Sequence, residues 1–127
     1  MDIANDDDVI AARRKGRVLA AEIGFSPGEQ AMIAAIITEL ACNIIDHVGR
    51  GELLLHVIED DRRRGIAVIA SDHGPGIPNI KDALQASYSV AAGLGLGLRG
   101  VRGLTDSLDI ISIPGRGTTV TARKWRA

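Results

Sequence analysis

Glycine is spaced unevenly along this chain, and its spacing limits what the chain can fold into. The residues gather at Gly49/Gly51, Gly74/Gly76, Gly93/Gly95/Gly97 and Gly115/Gly117, while Gly24 and Gly65 stand where a helical stretch and a charged turn end. Glycine closes helices and turns hairpins because it alone takes positive φ freely. Between these breaks the segments have the length of single elements. Ile3-Ala4 reads as a short strand, with Asn5 or an Asp as the next helix cap, and Val9–Ile23 reads as an alanine-rich helix in which Ile10, Arg13/Arg14, Arg17/Val18 and Ala21 fall near helical spacing. Ser26-Pro27-Gly28-Glu29 carries a cap, a first-turn proline and a capping-box glutamate, so a second helix runs to Asp46 or His47. Met32, Ile36, Leu40 and Ile44 step by four and are expected to form its buried stripe.

The second half alternates differently. Leu53–Glu59 and Ile66–Ala70 flank the polar turn Asp60–Gly65, and Ser107–Ile113 and Thr118–Lys124 flank Pro114–Gly117; both read as antiparallel hairpins. The arginines Arg62, Arg63 and Arg64 read as a solvated turn. Ile80–Gln85 reads as helical turns, Ala86–Gly97 as a mobile glycine-rich stretch, and Leu98–Leu104 as a short helix. The order β-α-α-β-β-loop-α-β-β predicts an α+β, two-layer α/β sandwich: a mixed, mostly antiparallel sheet covered on one face by helices.

Composition removes several function classes. With 15 basic and 16 acidic residues in 127, the net charge of −1 gives no electrostatic case for nucleic acid. Cys42 is the only cysteine, so neither an internal disulfide nor a cysteine-based zinc site is expected. No apolar run approaches the ~20 residues of a membrane span, and the acidic start (Asp2, Asp6, Asp7, Asp8) is unlike a signal or transit peptide. The length suits one domain over 1–127.

Four segments carry chemistry. Glu39 and Asn43 lie four apart and share a helix face, where a carboxylate and a carboxamide can orient a nucleophile and hold a hard cation through oxygen. Asp72-His73-Gly74-Pro75-Gly76-Ile77 follows a strand; an Asp there can accept from an exocyclic amine, and the glycines admit a flat ring. Gly93-Leu94-Gly95-Leu96-Gly97-Leu98 leads into a helix and offers free N–H groups to an anion, with Arg99 and Arg102 nearby. It is not a Walker A loop, since no Gly-Lys-Ser/Thr follows. Gly115-Arg116-Gly117-Thr118 turns into a strand, from which a threonine hydroxyl can reach a base.

In this order the four segments resemble the N, G1, G2 and G3 boxes of the GHKL (Bergerat-fold) ATPase/kinase superfamily, from about Ile10 to Trp125. The small size is similar to the RsbT-type serine/threonine kinases of stressosomes. Ile10-Ala11-Ala12-Arg13, Glu39-Leu40-Ala41, Asn43-Ile44, Asp72, Gly74-Pro75-Gly76-Ile77-Pro78, Gly93-Leu94-Gly95 and the closing Lys124-Trp125 carry that likeness.

The resemblance implies an ATP- and Mg²⁺-dependent protein kinase in which Glu39 is the general base and Asn43 the metal ligand. Asp72 would take the adenine amino group; Gly74, Gly76 and Ile77 would shape the adenine pocket, and Thr118 would add a polar contact. Gly93, Gly95, Gly97 and Leu98 would belong to the phosphate lid. It further implies STAS-domain scaffold or antagonist proteins as substrates, a downstream phosphatase or other output protein as partner, and a cytoplasmic setting; a homodimer is compatible with it. An anti-sigma-factor kinase and a non-catalytic nucleotide-sensing module are the alternatives. Cys42 and His73 stand where other polar residues are common in the family, and Asp46 is expected to face solvent.

Overall fold

The computed structural model describes residues 1–75 and 97–126. The elements are β1 (Asp2–Ile3), α1 (Asp6–Ile23), α2 (Pro27–His47), β2 (Gly51–Glu59), β3 (Arg64–Ser71), α3 (Gly97–Leu104), β4 (Ser107–Ile113) and β5 (Gly117–Trp125). Their order is the one the sequence predicts. The helical turns expected over Ile80–Gln85 and most of the glycine-rich stretch lie outside the described residues.

α1 begins three residues before the predicted start. The Asn5 side chain accepts from the Asp8 N–H at 3.0 Å, and Asp6, Asp7 and Asp8 place negative charge at the positive end of the helix dipole. Its buried face runs through small residues. Val9, Ala12, Gly16, Ala20 and Ile23 are buried, whereas Ile10 and Val18 are 38% and 59% exposed. The small residues at four-residue steps let α2 come close: a Cβ on Gly16 would lie 2.0 Å from Ile37 Cδ1. Larger side chains on that stripe would hold the helices apart, so they point elsewhere.

α2 starts as read. Ser26 and Glu29 form the capping box, and Pro27 opens the first turn. The buried stripe is wider than a four-residue ladder and rotated from it. Ile33, Ile36, Ile37, Leu40, Ala41 and Ile44 are buried, while Met32 is 42% exposed. The cause is position: α2 packs against α1, α3 and the sheet, so more than one side is covered. Burying each large aliphatic side chain contributes ~1.5–3 kcal/mol. Contrary to expectation, this 21-residue helix is long and apolar enough to cross a membrane by length and composition. Its apolar residues are engaged in the core instead, and the carboxylate of Glu39 is fully buried among them.

The five strands form one sheet in the order β1-β2-β3-β5-β4. Every pairing among the described residues is antiparallel, where a mixed sheet is expected. β4 runs parallel to β3, but β5 lies between them, so no parallel ladder forms. One sheet face carries Leu53, Ile66, Val68, Ala70, Val120 and Ala122 into the core beneath the helices. The other leaves Leu54, Ile111 and Ile113 44–65% exposed. This is the predicted two-layer α+β arrangement.

The C-terminal residues tie helix ends down. Arg126 donates to the Ile23 carbonyl at 3.2 Å, and Lys124 donates to that of Leu104 at 3.2 Å, satisfying carbonyls that a helix end leaves open. The arginine turn is exposed but engaged: Asp60 accepts from the Arg62 and Arg63 amides and from the Arg63 guanidinium. Arg63 also lies 4.1 Å over the Trp125 ring. The Arg63 guanidinium holds the Asp60 carboxyl below its usual range.

Candidate active site

β3 ends at Ser71, and the next residue begins the site. The Asp72 N–H donates to the Thr118 carbonyl at 2.9 Å, extending the β3–β5 ladder by one bond. Asp72 Oδ1 then accepts from the Gly74 N–H at 2.9 Å and the Thr118 N–H at 3.3 Å. Neither bond uses Oδ2. The carboxylate is thus fixed by backbone donors from two strand ends, with its second oxygen left to meet a ligand, the arrangement suited to reading an exocyclic amine.

Two glycines make this geometry possible. Gly117 has φ +120°, and a Cβ there would lie 2.0 Å from the Asp72 carbonyl oxygen. A Cβ on Gly74 would lie 2.5 Å from Val48 Cγ2. Val48 directly follows α2, so this packing sets the end of α2 against the Asp72–Gly74 turn. Ile44 closes the same junction from inside: its Cγ2 is 2.8 Å from where a Gly51 Cβ would stand, and the Ser71 carbonyl is 2.6 Å from it.

α2 therefore carries Glu39 and Asn43 toward the turn that holds Asp72. Glu39 is fully buried. Asn43 Oδ1 is a buried acceptor with no hydrogen-bond partner, a state that costs roughly 1–3 kcal/mol unless something fills it. An oxygen donor of this kind fits a hard cation such as Mg²⁺. Asp46, expected in solvent, is half-buried, and its Oδ2 is likewise shielded and unpartnered. It lies about one turn beyond Asn43, on the same side of α2. Cys42 is 2% exposed; burial first, then the charges of Asp46 and Glu39, push its thiol from 9.0 up to about 11.

The described structure thus places Asp72 and Gly74 in one turn, binds that turn to Thr118 of β5, and packs it against the end of the helix that carries Glu39 and Asn43. Thr118 is buried, and its hydroxyl shares a 3.1 Å hydrogen bond with Ser112 of β4. Sequence reading missed Ser112; the register Ser112↔Thr118 that the second hairpin imposes was the available signal. It also missed Val48, which no pattern marks. Gly97 and Leu98 open α3, which packs on α2 and buries Val101 completely. Arg102 is exposed. Gly76, Ile77, Gly93 and Gly95 lie outside the described residues.

Comparison with known proteins agrees with this geometry. The histidine kinase-like ATPase domain model matches residues 3–124. The serine/threonine-protein kinase RsbT of Bacillus subtilis (strain 168) is 41% identical over 123 residues, covering 97% of this chain and 92% of that protein. A match from the first strand to the last, together with the carboxylate turn and the polar helix face, places this chain in the histidine kinase-like ATPase domain family.

Proposed function

We propose that the chain transfers the γ-phosphoryl group of ATP to a serine or threonine hydroxyl on a small STAS-domain protein, and that this modification switches partners toward an output protein such as a phosphatase. The chain is a protein serine/threonine kinase with an ATP-binding domain; the identity to RsbT over nearly the full length supports this. The substrate and output are our reading, and we place the reaction in the cytoplasm, within a single domain over 1–127. The observation that supports the site assignment is the presence of a backbone-fixed Asp72 beside the end of the helix that carries a buried Glu39 and a buried, unpartnered Asn43 Oδ1.

In this reading Asp72 accepts from the adenine amino group through its second oxygen. Gly74, with Gly76 and Ile77, bounds the adenine pocket, and Thr118 closes its floor. To Gly93, Gly95, Gly97 and Leu98 we assign contact with the phosphates. Asn43 Oδ1 would hold Mg²⁺, whose positive charge would offset the negative charge of the transferring phosphoryl group. Glu39 orients the acceptor hydroxyl and takes its proton as the oxygen bonds to phosphorus and the β–γ bridging oxygen leaves with ADP.

The test is separable loss. Glu39→Ala keeps Mg·ATP affinity within about twofold but lowers transfer to the partner by roughly 10²–10⁴. Asp72→Asn weakens ATP binding about tenfold or more while the fold persists. A Glu39→Ala protein that phosphorylates its partner at the normal rate removes the base assignment.

A further inference from the structure

Asp46 has no role in the chemistry described so far, yet it stands beside a group that does. It follows Asn43 by three residues on α2, and side chains at that spacing are neighbours, with Cβ atoms about 5–6 Å apart. Asn43 Oδ1 and Asp46 Oδ2 are both shielded from solvent, and neither has a hydrogen-bond partner. Among the described residues no other buried side-chain oxygen or nitrogen is left in that state, so both exceptions fall on one turn of one helix. Nor does Asp46 form an ion pair with a basic side chain there.

A buried polar atom without a partner is costly and calls for a cause. An amide oxygen and a carboxylate oxygen are both acceptors, so these two cannot satisfy each other. A hard cation can satisfy both, because it takes oxygen donors of either kind. Helices present metal ligands at this spacing elsewhere: the Glu-x-x-His pairs of di-iron bundles stand at i and i+3. Two ligands do not complete a coordination shell, and no group of three His, Cys, Asp or Glu side chains able to hold a metal lies among the described residues. An incomplete set suits Mg²⁺, which is held by one or two carboxylates together with substrate phosphates and water.

Asp46 also brings a charge that Asn43 lacks. Beside a triphosphate, a carboxylate repels when no cation is present and attracts through the cation when one is. One residue then acts on nucleotide affinity with opposite signs in the two conditions.

We infer that Asp46 is a second protein ligand of the nucleotide-bound divalent cation, sharing it with Asn43, and that its charge makes ATP binding depend on that cation. The inference rests on the site reading above, in which Asn43 takes the metal and Asp72 the base.

Binding of a fluorescent, non-hydrolysable ATP analogue to the full chain, read by anisotropy in EDTA and in Mg²⁺, tests it. Mg²⁺ tightens wild-type binding by roughly 10²-fold. Asp46→Asn keeps the shape of the side chain and removes its charge. It binds about threefold tighter than wild type in EDTA and about tenfold weaker in Mg²⁺. Asp46→Ala shifts both values in the same directions. Neither substitution breaks a hydrogen bond of Oδ2, which has none to lose, and circular dichroism reports that each variant is folded. Asp72→Asn separates this inference from the reading beneath it: it weakens binding in both buffers and leaves their ratio near the wild-type value. If Asn43→Ala loses the Mg²⁺ dependence while Asp46→Asn keeps both wild-type values, only this inference falls. If Asn43→Ala keeps the dependence as well, the metal assignment falls with it. An Asp46→Asn protein that weakens equally in both buffers has a structural defect in place of a lost ligand, and this too overturns the inference.

Discussion

Gly117→Ala tests how the sheet fixes the base-reading carboxylate, with Gly115→Ala as its control. Both glycines have positive φ, +120° and +77°. A Cβ at Gly115 meets nothing within 4 Å, whereas one at Gly117 falls 2.0 Å from the Asp72 carbonyl oxygen. Ordinary contact begins near 3.4 Å, so the two backbones must part by about 1.4 Å, and neither can swing aside as a side chain does. Gly115→Ala then costs only the left-handed backbone penalty, about 1–2 kcal/mol. Gly117→Ala costs about 1–3 kcal/mol in backbone strain, plus about 0.5–1.5 kcal/mol for the Asp72–Thr118 backbone bond that the displacement breaks. Urea unfolding should therefore separate the two variants by roughly 1–2 kcal/mol. Titration calorimetry with Mg·ATP should separate them further: Gly117→Ala moves Asp72 and loses at least about tenfold in affinity, while Gly115→Ala binds normally. If the two variants behave alike in both assays, the contact between Gly117 and Asp72 does not position the carboxylate.

Other outcomes follow from the same packing. Gly16→Ala overpacks the α1–α2 contact and costs about 1–3 kcal/mol; Ile37→Val, which removes the clashing Cδ1, recovers part of it, so a denaturation double-mutant cycle yields a favourable coupling. Cys42 stays a neutral thiol in the fold and resists iodoacetamide at pH 8, reacting once urea unfolds the chain. Its folded value lies above its unfolded one, so the folded state holds the proton longer. Stability therefore falls as pH rises from 9 toward about 11, by about 2–3 kcal/mol in all. Cys42→Ala should flatten that alkaline slope relative to wild type.

The elements were legible because their boundaries are chemical. Ser26-Pro27 and Glu29 start α2 in the sequence and in the structure, and the turns at Asp60–Gly65 and Pro114–Gly117 set both hairpins. The helix faces were less legible. Ile10 and Val18 look like core residues and Ala12 and Gly16 like fillers, yet helix–helix distance selects the small ones for contact. That choice depends on what the helix meets, which no single stripe encodes. Asp72, Glu39 and Asn43 could be picked out by spacing and residue type. Their support could not: Ser112 holds Thr118 through strand register, Val48 seats on Gly74 through tertiary packing, and the shielding of Asp46 Oδ2 depends on what covers that turn of α2.

The most direct measurement is a crystal structure with Mg²⁺ and a non-hydrolysable ATP analogue. The adenine amino group is expected within ~3.2 Å of the Asp72 carboxylate and the metal ~2.1 Å from Asn43 Oδ1. A purine seated away from Asp72, or a metal that leaves Asn43 Oδ1 unpartnered, contradicts it.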